Sequence, residues 1–214
     1  MAIIQGLIDF ILHIDQHLQE IIQQFGGWSY AILFAIVFVE TGVVIMPFLP
    51  GDSLLFAAGT FAALGSFNLP LLMAVFITAA IIGDTVNYHI GRAVGLSIPP
   101  DSFLGRVINK ERMDAAQRFF NKHGGKTIVI ARFMPFIRTF IPFVAGASRM
   151  NYKYFIMYNV IGAFAWVLIC TMLGYFFGNI PIIKENFSTV LLLIIFISVI
   201  PAVISALNGR RKNK

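Results

Sequence analysis

Between residues 39 and 55 the sequence VETGVVIMPFLPGDSLL sets two carboxylates, Glu40 and Asp52, inside a run otherwise apolar enough for lipid. A charge at bilayer depth costs roughly 2.5 to 3.5 kcal/mol on insertion scales, so an acid there faces protein or a water-filled cavity and has a partner. Between the two acids Pro47, Pro50 and Gly51 interrupt the helix. Each proline lacks a backbone donor, and glycine takes backbone angles closed to other residues. A simple spanning helix is excluded, and the break marks a candidate site.

Several further apolar runs approach the roughly 20 residues that cross a bilayer, in a chain that is 58% hydrophobic and 12% charged. The expected class is an all-α polytopic membrane protein, one membrane domain over residues 1–214. The net charge of +6 does not point to nucleic acid, because its distribution is one-sided. The first 91 residues hold no Lys or Arg, seven of the sixteen lie from Arg92 to Lys126, and Arg210, Arg211, Lys212 and Lys214 close the chain. By the positive-inside rule both basic regions are cytoplasmic. The start lacks a basic segment ahead of an apolar one, so no cleavable signal is expected. The single cysteine, Cys170, excludes an internal disulfide and a cysteine metal cluster. His13 and His17, one helical turn apart, read as a solvated polar face more readily than as metal ligands, and no metal or cofactor is expected.

In residues 1–25, Ile4, Leu7, Ile11, Ile14, Leu18, Ile21 and Phe25 recur at spacings of three and four, which predicts an amphipathic helix. Its acidic polar face suits packing on the membrane part or on a second copy of the chain better than adsorption to anionic lipid, so a homo-oligomer is among the candidate partners. Residues 28–64 are too short for two full crossings and read as a re-entrant helical hairpin with its tip at Pro47 to Asp52. Asp52 there either caps the second half-helix or carries charge chemistry. Residues 69–90 form a span, with Asp84, Asn87, Tyr88 and Gly91 on one face, read as a packing patch or a functional one. Residues 92–126 form a cytoplasmic loop containing a short helix near Lys110 to His123.

Residues 127–147, TIVIARFMPFIRTFIPFVAGA, are long enough to cross. Together with spans at 154–178 and 186–207 that would make three crossings after the cytoplasmic loop, putting the basic tail at 208–214 outside, against the charge rule. If 127–147 enters and leaves on the cytoplasmic side, Arg149, Lys153 and the tail all lie inside. Pro135, Pro142 and Gly146 supply the break such a hairpin needs. Two hairpins entering from opposite sides, each followed by a span, make an inverted-repeat topology of the kind found in secondary transporters.

Arg132 and Arg138 flank Pro135 in the second hairpin. Two buried guanidiniums need anionic partners, and Glu40 and Asp52 are the acids expected at comparable depth. One reading is two structural ion pairs locking the hairpins. Another is a binding site for an anionic group, most naturally phosphate, which forked guanidinium donors fit, with the acids as proton sites. Asn159, Gly162 and Trp166 share a face of the later span, for which close helix packing is the plainer account.

The runs ETGxxxxPFLPGDSLL from Glu40, GDxxNYxIGR from Gly83, HGGKTIxxARFxPxxRTFxPFxAG from His123 and YNxxGAxxW from Tyr158 resemble the bacterial DedA family, which carries the VTT, or SNARE-associated, domain. The resemblance covers nearly the whole chain and implies a multi-pass inner-membrane lipid transporter that depends on the proton motive force, its C-terminus cytoplasmic. It implies functional roles for Glu40, Asp52, Arg132 and Arg138. Family members are linked to undecaprenyl phosphate recycling, others to phosphatidylethanolamine or broader lipid scrambling, so the expected activity is an undecaprenyl phosphate flippase, with a phospholipid flippase or scramblase as the alternative. A proton-coupled carrier of small cations or drugs is the competing reading. An enzyme is not expected: His13, His17, His89 and His123 are scattered, and none adjoins Arg132 or Arg138 in sequence.

Overall fold

The computed structural model of the chain describes residues 24–42, 51–94, 110–134 and 137–181. Seven helices cover most of these residues: α1 (Gly27–Gly42), α2 (Gly51–Ala63), α3 (Leu69–Val94), α4 (Lys110–His123), α5 (Lys126–Ala131), α6 (Phe140–Ala147) and α7 (Tyr152–Gly178). No strand occurs among the described residues. Most of the expected N-terminal helix with His13 and His17, the breaks at Pro47, Pro50 and Pro135, the span at 186–207 and the basic tail lie outside them.

At 1.5 Å per residue, α3 and α7 are about 39 and 40 Å long, enough to cross a bilayer. Their outward faces are apolar, with Ile82, Val86 and Ile90 exposed on α3 and Met157, Ile161, Phe164 and Leu168 exposed on α7. Their inward faces carry Asp84, Asn87, Asn159 and Thr171, all buried. Polar groups inside and bulky apolar groups outside suit lipid as the surrounding solvent.

The two broken runs are made of shorter pieces. Helices α1 and α2 reach about 24 and 20 Å, less than a hydrocarbon core of about 30 Å. The run at 127–147 is not one helix either. It is interrupted between Ala131 and Phe140, and its halves, α5 and α6, measure only about 9 and 12 Å. The interruption is narrower than expected, because Pro142 and Gly146 sit inside α6. Pro142 occupies the first turn, where its missing N–H would have had no acceptor within the helix. Gly51 is the first residue of α2.

The chain forms two compact units, one of Met1–Ala31, Pro50–Leu72 and Cys170–Lys214, the other of Ile32–Leu49 and Met73–Ile169. In the first, α2 lies against the end of α7 at backbone distance. A Cβ on Gly174 would stand 1.9 Å from the Phe56 carbonyl oxygen. The Thr60 hydroxyl donates to the Gly174 carbonyl at 3.0 Å. Asn68 starts α3, its Oδ1 accepting from the Leu71 amide at 3.0 Å, and its own amide donates to the Tyr30 hydroxyl at 2.8 Å.

In the second unit α3 buries a stripe through Phe76, Ala80, Gly83, Asp84, Asn87, Tyr88 and Gly91. Lipid offers helices no hydrophobic reason to associate, so close approach and polar contacts hold them together. Helix α6, buried from Phe140 to Gly146, crosses α3 closely enough that a Cβ on Gly146 would lie 1.9 Å from the Tyr88 carbonyl oxygen. Tyr88, Phe140, Phe143 and Phe155 fill the surrounding core, and α6 packs on α4 and α5. Gly124, at φ +58°, ends α4 before α5 begins.

Gly146→Val is expected to lower the melting temperature of the detergent-solubilised protein sharply, with a cost of about 3 kcal/mol or more from overpacking. Gly27→Ala, whose added Cβ meets nothing within 4 Å, serves as the neutral control. Equal melting of the two variants would show that the α3–α6 crossing is not tight.

Candidate functional site

Every helix of the second unit that faces its centre delivers a polar group there. The end of α1 brings Glu40, 1% exposed, and Thr41, whose hydroxyl donates back to the Val37 carbonyl at 2.9 Å. Helix α3 brings Asp84 and Asn87. The interruption between α5 and α6 supplies Arg132, the C-cap of α5, together with Arg138 and Thr139. Helix α7 adds Asn159 and Trp166, both buried.

These groups form two ion pairs. Arg138 Nη2 donates to Glu40 Oε1, joining the turn before α6 to α1. Arg132 Nη2 donates to Asp84 Oδ2 and, at 2.6 Å, to Asn159 Oδ1. Asn159 is itself oriented by α3, because its Nδ2 donates to the Ile81 carbonyl at 3.1 Å. Both guanidiniums lie over the indole of Trp166, their central carbons 5.7 and 5.5 Å from the ring centroid. A guanidinium near an aromatic face gains quadrupole attraction without using up its hydrogen-bond donors.

Asn87 ties the frame together. Its Nδ2 donates to the Thr41 carbonyl at 3.2 Å and to the Thr139 carbonyl at 2.7 Å, linking the end of α1 to the turn that carries Arg138. The Thr41 carbonyl lies in the last turn of α1, where intrahelical donors run out, so a side-chain amide is the natural partner. Thr41, Asp84, Ile128, Arg132, Arg138, Thr139, Pro142 and Trp166 line a cavity of about 20 Å³, room for roughly one water molecule.

The expected pairing therefore needs correcting. Arg132 is bound by Asp84, an acid on the intervening span, and not by Asp52. Asp52 belongs to the other unit, in the first turn of α2 with its side chain exposed. Asn87 and Asn159, expected as secondary polar groups, bond directly to the frame and to Arg132. Thr41, Thr139 and Trp166 join the site without having been singled out for it. Their signal was faint: Trp166 shares a helical face with Asn159, one turn either side of Gly162, but apolar packing accounts for the same spacing.

Residues 49–176 match the VTT domain, a stretch that runs through both units and contains all of these residues except Glu40 and Thr41. Over 215 aligned positions, 99% of this chain and 97% of the relative, the chain is 49% identical to protein DedA of Escherichia coli (strain K12). The chain belongs to the DedA family. It is 38% identical over 186 residues, 85% of this chain and 80% of the relative, to an uncharacterized membrane protein of Mycobacterium tuberculosis (strain ATCC 25618 / H37Rv). It is also 36% identical over 156 residues, 73% of this chain and 70% of the relative, to inner membrane protein YqjA of Escherichia coli (strain K12). No solved structure matches it. Family membership, the relatives' names and the apolar outer faces of α3 and α7 agree that this is a membrane protein.

Removing one member of a buried ion pair typically costs about 3 to 5 kcal/mol, because the other charge is left without compensation. Asp84→Asn and Arg132→Gln are each expected to destabilise the protein by an amount of that order in detergent melts. The double variant should lose clearly less than the sum of the two. Strictly additive losses would mean that the pair does not form.

Proposed function

We propose that this family member is a lipid transporter driven by the proton motive force, carrying undecaprenyl phosphate across the bacterial cytoplasmic membrane so that the envelope lipid carrier is recycled. It is a carrier and not an enzyme; its partners are the lipid and protons, and its basic C-terminal tail faces the cytoplasm. The short helix pairs α1–α2 and α5–α6 act as re-entrant hairpins entering from opposite sides, in an inverted-repeat arrangement. Interrupted helices at membrane depth are favoured only where they line a cavity or are covered by protein.

One observation carries the reading: two guanidiniums share the face of Trp166 on one cavity, each paired to a carboxylate that an anion could replace. Arginine is the residue best suited to forked recognition of phosphate. A phosphate monoester carries roughly −1.5 to −2 charges near neutral pH, so its entry beside two ionised acids would leave the site strongly negative. Protonation of acids as the lipid enters removes that excess. Glu40, within the cluster, and Asp52, on α2, are the proton-coupling residues of this scheme. A purely structural pair of ion bridges would look the same at rest, and a cation carrier would need its acids unencumbered by arginine.

Proteoliposomes loaded with labelled undecaprenyl phosphate, with leaflet exposure followed under an imposed pH gradient, test the proposal. Arg132→Ala and Arg138→Ala should each slow translocation at least tenfold, and Glu40→Gln should uncouple it from the gradient. Wild-type rates in both arginine variants would exclude the phosphate site. Transfer of phosphatidylethanolamine at the same arginine-dependent rate would shift the substrate to phospholipid.

A further inference from the structure

The geometry points to Asp84 as the group that takes up a proton when Arg132 transfers from carboxylate to phosphate, making it a third coupling acid alongside the two named above. The inference rests on the phosphate reading and deepens it. Arg132 Nη2 is shared between Asp84 Oδ2 and Asn159 Oδ1, while Nη1 is buried and has no hydrogen-bond partner among the described residues. Arg132, Asp84, Arg138 and Trp166 all border the same small cavity. A phosphate oxygen reaching Arg132 there meets a guanidinium with one nitrogen still unused and the other already engaged. Full forked binding of the anion withdraws Arg132 from Asp84.

The two partners of Arg132 respond differently to that withdrawal. Asn159 is neutral and keeps its bond to the Ile81 carbonyl, so it loses one hydrogen bond and no charge compensation. Asp84 is 6% exposed and has no second cation bonded to it among the described residues. A carboxylate left buried without its counter-charge is driven to its protonated form, and a protonated carboxyl can donate back to a phosphate oxygen. Binding of the anion and uptake of the proton thus become one event. When the lipid leaves, Arg132 returns, the proton is released, and the pair re-forms.

Among the other ionisable groups, Arg138 also acts on Asp84 through its charge but is not bonded to it. Arg138, from the turn before α6, is engaged by Glu40 of α1. On α3 itself Arg92 Nη1 donates to the Tyr88 hydroxyl at 3.2 Å, and that hydroxyl donates to the Met150 carbonyl. The α7 residues of the site, Asn159 and Trp166, do not titrate. Glu40 pairs with Arg138 and Asp84 with Arg132, so the two acids are released by different arginines and are separable in experiment.

The test uses the full-length protein with Trp28→Phe, which leaves Trp166 as its sole tryptophan, and farnesyl phosphate as the short polyprenyl phosphate probe. Trp166 emission in detergent reports the dissociation constant across a range of pH. Each proton taken up with the ligand weakens binding about tenfold per pH unit on the alkaline side. Asp84→Asn should lower the slope of log Kd against pH by about one, while farnesyl phosphate still binds. The ligand's own ionisation enters both slopes equally. An unchanged slope in Asp84→Asn would overturn the assignment. Failure of the parent protein to bind farnesyl phosphate would overturn the phosphate reading and this inference with it, a result distinct from normal binding with an unchanged slope. Should Asp84→Asn not fold, infrared difference spectra decide the matter with Asp84→Glu, which keeps the charge. A protonated-carboxyl band that appears on adding farnesyl phosphate and shifts in Asp84→Glu supports the assignment. No band, or a band indifferent to that substitution, refutes it.

Discussion

A guanidinium does not lose its proton in a protein, so placing two of them inside a unit whose outer faces meet lipid obliges the chain to bring carboxylates to them. That obligation organises the second unit. Arg132 and Arg138 stand at the ends of the interruption between α5 and α6, where the backbone leaves the helix and the chain can turn two long side chains towards one cavity. Their counter-charges come from two other helices, Glu40 near the end of α1 and Asp84 in the middle of α3. Removing either acid would take the carboxylate counter-charge from its arginine.

The neutral groups of the site hold this arrangement in register. A short helix such as α6 has little length over which to bury surface, and in lipid there is no hydrophobic gain from doing so. Backbone contact at Gly91 and Gly146 lets α6 approach α3 closely, and the Asn87 amide fastens the preceding turn to α1. The polar groups inside the unit thus also act as structural ties. Asp84 and Asn87 belong to one buried stripe that packs against neighbouring helices, as the packing reading of that face expected, and the same stripe borders the candidate site.

Much of this was legible in the residues. The long helices at 69–90 and 154–178 followed from length and hydropathy and run a few residues further, to Leu69–Val94 and Tyr152–Gly178. The short helix near Lys110 to His123 appears with those bounds, ended by Gly124. The run at 127–147 is interrupted, as its prolines and glycine led one to expect. Where that helix breaks was harder to read, because proline breaks a helix in its interior but is tolerated in a first turn, and Pro142 is of the second kind. The partner of Arg132 was misjudged by treating α3 as a bystander. Arg132 lies six residues into the stretch that starts at Lys126, about 9 Å of helix, and Asp84 lies eight residues before Arg92, about 12 Å, so the two were at similar depth all along. Depth alone could not rank Asp84 against Asp52. That choice depends on which helix faces which, and such tertiary information does not reside in either segment.

With both pairs closed, the four charges sum to zero and the remaining space holds little more than a water molecule, far less than a phosphate group needs. The proposed transport cycle would therefore have to part the carboxylates from the arginines before a lipid headgroup enters. Each guanidinium also lies over Trp166, an attraction that survives loss of the carboxylate and reserves no donor nitrogen. The arginines can thus stay in place while their hydrogen-bond partners change. In that proposal an entering phosphate would restore the counter-charge that the departing carboxylates remove, and protons on those carboxylates would keep the sum near zero. The barrier to exchange is lowered most when the two events coincide, because at no stage is an ionised group then buried alone. In the proposed cycle, coupling between headgroup and proton would follow from that electrostatic condition.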